Sequence, residues 1–244
     1  MSQARVVALV QARMGSSRFP GKMLELLGDY PLLEWVLRRV GRASKLDQVV
    51  LATSDQPKDD ALVELAENLG FAHFRGSEED VLGRFVGAAE QYEAEEIVRV
   101  CADNPFVDPG EIDRLVTEYQ QNPCDYACNH LDRLGSGYAD GFGAEILSNQ
   151  LLQQIAKLSM EPKHREHVTL YLWDHAKQFT LYSIQAPPEL AYPDIRFDLD
   201  EKKDLENLKE ITKEGVMLAS PAAEILNISR LLRKNRILKN KSTI

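Results

Sequence analysis

The chain has 244 residues, 44% hydrophobic and 27% charged, a balance that suits one large core, or one core with a modest satellite, and argues against extended disorder. No apolar run approaches the roughly 20 residues needed to span a bilayer, and the N-terminus lacks the pattern of a secretory leader, so a cytoplasmic protein is expected. Three cysteines are too few for a disulfide framework, and the formal net charge of −9 repels a nucleic-acid backbone, so an anionic ligand has to be held locally.

In chain order, a strand is expected at 5–10, then a polar segment at 11–22, then a helix at 32–43 with Pro31 near its first turn. A strand at 48–53, a helix at 59–69, a strand at 72–75, a helix at 81–92 with Asp80 as N-cap, a strand at 97–102 and a helix at 109–120 continue the alternation. Such a repeat implies a mostly parallel sheet covered on both faces. Ligands bind beyond the carboxyl ends of such strands, so the loops at 11–22, 54–59, 76–80 and 103–108 are expected to converge on one cleft. After residue 122 the pattern loosens: strands at 125–129, 142–147 and 179–185 and helices at 149–158 and 164–176 read as a smaller subregion, 123–194, within a single domain over 1–244. A late strand at 195–199 is expected to return to the sheet, followed by helices at 201–213 and 222–234. The basic tail, with Lys234, Arg236, Lys239 and Lys241, reads as a solvated end.

The segment QARMGSSRFPGK at 11–22 opposes the charge of the whole molecule. Its small residues let backbone amides approach an anion, and Arg13, Arg18 and Lys22 neutralise phosphate charge. Its spacing is neither that of a Walker loop nor that of a dinucleotide fold. Asp103 and Asp200 each follow an expected strand, which places two carboxylates at the ligand edge; Asp198 competes for the second position, and Asp204 suits the first turn of a helix. Cys124, Cys128 and His130 lack a fourth ligand for zinc. His164, Arg165, Glu166 and His167 match no metalloprotease spacing and suit structural hydrogen bonds or a subunit contact. Trp35 and Trp173 sit on apolar helical faces and suit the core.

QARMGSSRFPGKML resembles the signature of the cytidylyltransferases that activate 3-deoxy-2-keto acid sugars, especially the branch related to the spore-coat polysaccharide protein SpsF. LATSD at 51–55, FRGSEEDVLGR at 74–84, ADNPFVDP at 102–109, REHVTLYLW at 165–173 and DLDEKKDLENL at 198–208 resemble family segments in the same order. The resemblance implies an α/β Rossmann-like nucleotidyltransferase fold and a homodimer formed through the looser segment. It also implies magnesium-dependent transfer of CMP from CTP to the anomeric hydroxyl of an acidic sugar, with release of pyrophosphate. By the same resemblance Arg13, Lys22 and Arg18 act on the triphosphate, and Gln11, Ala12, Arg13, Gly15, Ser16, Ser54, Ser77, Asp80 and Arg84 bind the nucleotide. Asp103 and Asp200 would hold Mg2+, and Tyr138, Asp140 and Glu145 would meet the acceptor. Two other readings stay open. The sequence Asp198–Leu199–Asp200 imitates the metal motif of nucleotide-sugar glycosyltransferases, and the chain could be a catalytically silent nucleotide-binding protein.

Overall fold

The computed structural model describes residues 4–130 and 134–241. Leu131, Asp132 and Arg133, inside the subregion 123–194, and the side chains of Lys239 and Lys241 lie outside the described residues. The chain runs β1 (Val6–Gln11), β2 (Leu26–Leu27), β3 (Tyr30–Pro31), α1 (Leu32–Val40), β4 (Gln48–Ser54), α2 (Asp60–Asn68), β5 (Ala72–Gly76), α3 (Val81–Gln91), β6 (Glu96–Cys101) and α4 (Pro109–Gln121). It continues through β7 (Tyr126–Cys128), β8 (Glu145–Ser148), α5 (Asn149–Leu158), α6 (Pro162–Glu166), α7 (Leu170–Asp174), β9 (Leu181–Ser183), α8 (Lys202–Lys213) and α9 (Ala222–Lys241).

One seven-stranded sheet has the order β5-β4-β1-β6-β8-β7-β9, and only β8 runs against its neighbours. The expected α/β fold with a mostly parallel sheet is therefore observed. The central strand, VVALVQ, is apolar without a break because both its faces are covered. Val6, Ala8 and Val10 pack with residues of α1, α2, α4, α8 and α9, whereas Val7 and Leu9 pack with residues of α3, α5 and α7, the two-residue alternation of a strand. The strand order reverses direction between β1 and β6, where Gln11 pairs with Cys101. Loops leaving those two ends part to opposite sides and open a crevice between them.

Several local expectations need correction. Residues 195–199 do not form a strand; they make one bridge, Asp140 to Arg196, and hydrogen bonds from Phe197 N to Asp140 O and from Leu199 N to Asp103 O. Their alternation is real, since Phe197 and Leu199 are buried, but β8 already holds the edge of β6 as far as Arg99. The segment therefore crosses above the strand ends. The helix expected at 164–176 is broken into α6 and α7. The break buries the β-branched pair Val168 and Thr169, and the Thr169 hydroxyl turns to Glu145. The strand expected at 142–147 starts only at Glu145, after Gly143, where a Cβ would come within 2.2 Å of Asn129 O. The last helix continues to Lys241 rather than ending at 234.

Candidate active site

The loop after β1 is closed at both ends. Gly21, at φ 77°, turns the chain in a left-handed conformation and donates its N–H to Met14 O at 3.1 Å. Met14 N in turn donates to Asp59 Oδ1 at 2.7 Å, and Asp59 is fully buried. A short 3-10 turn, Lys22–Leu24, follows and directs the Lys22 side chain under the loop. Lys22 is only 7% exposed. Its ammonium donates to Leu199 O at 2.5 Å and lies 3.6 Å from Asp103 Oδ2 and 3.9 Å from Asp200 Oδ1. Arg18 reaches the same Asp200 at 3.0 Å. Asp103 and Asp200 meet because Leu199 is tied to Asp103 through the backbone.

These groups line a cleft of about 300 Å³ together with Gln11, Ala12, Arg13, Ser16, Cys101 and His167. Arg13 stands where three elements converge: its guanidinium donates to Glu78 O at 3.3 Å and pairs with Glu166 at 3.4 Å. Gly15 lies against the Lys58–Glu78 ion pair, and a Cβ there would come within 2.6 Å of Glu78 Oε1. The carboxylates are crowded. Burial raises the Asp103 carboxyl above its ordinary range, Lys22 opposes the rise, and Asp198 and Asp200 add to it. Asp140 is pushed up to about 7 by burial first and then by Asp198, with Arg196 opposing.

The remaining sequence-selected residues divide. The Ser54 hydroxyl is buried and donates to Asp59. Ser77 Oγ accepts from Asp80 N at 3.0 Å, Asp80 caps α3 by accepting from Gly83 N at 2.8 Å, and Arg84 donates to Ser77 O at 2.8 Å. These four side chains are held by local bonds and are not among the cleft-lining residues. Asp80 also pairs with Arg165, which ties α6 to the start of α3. Tyr138 is fully buried and engages Glu111 and Arg114 of α4, both at 2.5 Å. Asp140 joins the carboxylate group, paired with Arg196 at 3.4 Å.

Glu145 is buried against Arg99 at 2.5 Å and accepts from Tyr126 Oη at 2.8 Å. Burial alone would raise its carboxyl, but Arg99 and His130 outweigh it and hold the group down to about 2. Arg99 also donates to the Gln11 side chain at 3.2 Å, so this pair orients a cleft residue from beneath. The polar knot separates by role: His164 is buried on Asp174 at 2.9 Å, whereas Glu166 and His167 line the cleft.

Sequence reasoning missed Asp59, Arg99 and Glu166. Asp59 reads as the start of a helix; the available signal is Pro57, which turns the chain back toward Ser54. Arg99 is a charge inside an otherwise apolar strand, a pattern that signals a buried partner. Glu166 stood out only as part of the polar cluster at 164–167, and its place in the cleft carried no signal because its partner Arg13 is distant in the chain.

Two carboxylates beside three cations, at the crevice between diverging parallel strands, can bind a polyphosphate and its counter-ion. Among the described residues, no cluster of three or more His, Cys, Asp or Glu side chains is arranged to hold a metal, and no helix is long and apolar enough to cross a membrane. The spore coat polysaccharide biosynthesis protein SpsF of Bacillus subtilis is 34% identical over 229 residues, covering 91% of this chain and 93% of that protein. The structure of a cytidylyltransferase from Leptospira borgpetersenii superposes with a TM-score of 0.86 at 28% identity, over 96% of each chain. A CMP:2-keto-3-deoxy-manno-octonic acid synthetase solved with CTP shares the fold, with a TM-score of 0.65 and 18% identity over 87% of this chain and all of that one. The profile of the family described as cytidylyltransferase matches residues 7–241, and the chain belongs to that family.

Proposed function

We propose that this cytidylyltransferase transfers CMP from CTP to the anomeric hydroxyl of a 2-keto-3-deoxy acid sugar, of the nonulosonic or octulosonic type, for surface polysaccharide assembly. The observation that carries the reading is the convergence of Arg18, Lys22, Asp103 and Asp200 at the ends of β1 and β6, with Arg13 in the same cleft. The acceptor hydroxyl gives up its proton to solvent as its oxygen bonds to the α-phosphorus, the bridge to the β-phosphate breaks, and pyrophosphate leaves with the bonding electrons. Charge builds on that leaving group, so fixed cations contribute more than a covalent nucleophile would. Arg13 and Arg18 offer forked contacts to phosphate oxygens, and Lys22 offers a compact point charge. The backbone of Gln11, Ala12, Gly15 and Ser16 lies against the phosphates, while Ser54, Ser77, Asp80 and Arg84 hold the loops that wall the base.

The residues present fit a divalent cation: Asp103 and Asp200 lie 3.6 and 3.9 Å from one ammonium, and the carboxylates of Asp198 and Asp200 add to the upward push that burial begins on Asp103, a crowding that a cation relieves. Two carboxylates suffice for magnesium, which keeps several waters. Bound there, Mg2+ supplies positive charge to the phosphate oxygens. For the acceptor, Asp140 belongs to the carboxylate group with Asp103, Asp198 and Asp200, Glu145 acts through Arg99 and Gln11, and Tyr138 braces α4. The glycosyltransferase reading has less support, because Asp198 is engaged bidentately by Arg196 at 2.9 and 2.6 Å. Dimerisation through 123–194 belongs to the same proposal and is supported by exposed Leu134, Leu158 and Met160.

The test is pyrophosphate release from CTP, UTP, ATP or GTP with magnesium and a panel of keto acid sugars. Release confined to CTP plus a keto acid supports the proposal. Formation of a nucleoside diphosphate from a nucleotide sugar sinks it.

A further inference from the structure

Past Arg18 the protein holds a second cavity, of about 380 Å³, between residues 196–201, α8 and α9. Arg18 and Asp200 line both this cavity and the cleft. Its floor is apolar, with Phe197, Leu208 and Leu232, and its walls carry both signs of charge. Arg18 pairs with Asp200 at 3.0 Å, Arg196 with Asp198 at 2.6 Å, Lys203 with Glu201 at 2.8 Å, and Arg236 with Glu210. Arg233 differs. Among the described residues it forms no ion pair, and its Nη1 reaches only Asp194 O at 3.4 Å.

We propose that this cavity is a second binding site, for magnesium pyrophosphate, which receives the leaving group after it passes Arg18. The proposal rests on the cytidylyl-transfer reading, which makes pyrophosphate the product at the Arg18 end of the cleft. A bare polyanion would suit the cations but be repelled by Asp198, Asp200 and Glu201. A bare divalent cation would meet the converse difficulty. The complex of the two satisfies both: phosphate oxygens replace carboxylates on the arginines, the released carboxylates turn to the metal, and the net negative charge that the complex still carries falls to Arg233. Arg233 needs no partner displaced, which makes it the first cation open to an arriving phosphate. Because Arg18 and Asp200 line both cavities, they lie on the way from the first site to the second. The covalent chemistry is complete before this step, and no bond is made or broken in the transfer.

The experiment is calorimetric titration of the full chain with magnesium pyrophosphate. Wild-type protein is expected to bind at two sites. Arg233→Ala combined with Lys203→Ala is expected to weaken one of them at least about tenfold, while Lys22→Ala removes the other. Arg233→Lys, which keeps the charge, should retain both, and thermal melts of each variant exclude misfolding as the cause. Initial rates without added product should be unchanged in the double variant, whereas inhibition by added pyrophosphate should become purely competitive with CTP. A single wild-type site that Lys22→Ala abolishes overturns the proposal, as do two sites that both ignore the double substitution. If Lys22→Ala leaves both wild-type sites intact, the functional reading fails, and the response to the double substitution still decides the second site.

Discussion

Replacing Lys22 by methionine removes one charge and keeps most of the side-chain stem, so the structure sets a magnitude for the outcome. At an effective dielectric of about 20, unit charges at the separations of Lys22 from Asp103 and Asp200 attract by on the order of 4 kcal/mol each. Both carboxylate side chains are about a third exposed, at 33% and 29%, and burial of the ammonium opposes the attraction, so the net loss of stability should be only about 1–3 kcal/mol. For a chain of this size that lowers Tm by roughly 2–4 °C per kcal/mol. Turnover should suffer more, because a fixed donor aimed at charge developing in the transition state contributes about 3–4 kcal/mol, or 10²–10³ in kcat. The assay is steady-state pyrophosphate release at saturating CTP and acceptor, with a thermal melt and circular dichroism on the same sample. Lys22→Arg should restore little, since a pocket that leaves lysine 7% exposed has no room for a planar fork. A Lys22→Met enzyme with kcat within threefold of wild type would refute the reasoning, as would a loss of activity fully explained by unfolding.

Glu145→Gln leaves Arg99 buried without its counter-charge and should cost about 3–5 kcal/mol of stability by urea titration. Because the Glu145 carboxyl is held down to about 2, its contribution is complete above the ordinary carboxylate range near 4.5 and is lost as pH falls toward 2; the gap between wild type and variant should close over that window. Asp59→Ala frees Met14 N and the Ser54 hydroxyl together and should raise KM for CTP about tenfold or more in initial-rate assays, through a loosened cradle. Glu166→Gln removes the competitor of the triphosphate for Arg13, a half-exposed pair, so CTP binding measured by calorimetry should tighten by up to about fivefold. Met160→Asp, at a side chain 85% exposed, should convert a dimer to a monomer by light scattering; an unchanged mass would place any interface elsewhere.

How much of this was legible in the sequence follows from the range of the interactions. The parallel core was legible because β1, β4 and β6 are buried on both faces and the amphipathic helices between them set the alternation. The basic loop after β1 was legible because its cations and glycines fall within one segment, 11–22. Caps were legible too: Asp80 and Asp204 act within four residues of their own positions. What failed was anything decided by competition for space. The pattern at 195–199 is that of a strand, yet the neighbouring edge of β6 was already filled by β8. The partners of Tyr138 and Glu145, which are Glu111, Arg114 and Arg99 of α4 and β6, are distant in the chain and carried no signal at those two positions.

The failed strand explains why the site works as a unit. Had 195–199 joined the sheet, Asp200 would follow a strand end in register with its neighbours, and its place would be fixed by the ladder alone. Instead the segment crosses the strand ends and is held by Asp140 and Asp103 backbone atoms and by the ammonium of Lys22 on Leu199 O. Lys22 thus pins the backbone next to one acidic residue while facing the carboxylates of both. The cation of the cradle and the carboxylate set are consequently one mechanical element, in which displacing the cradle also displaces Asp200. A ligand that moves the loop after β1 would therefore move Asp200 with it.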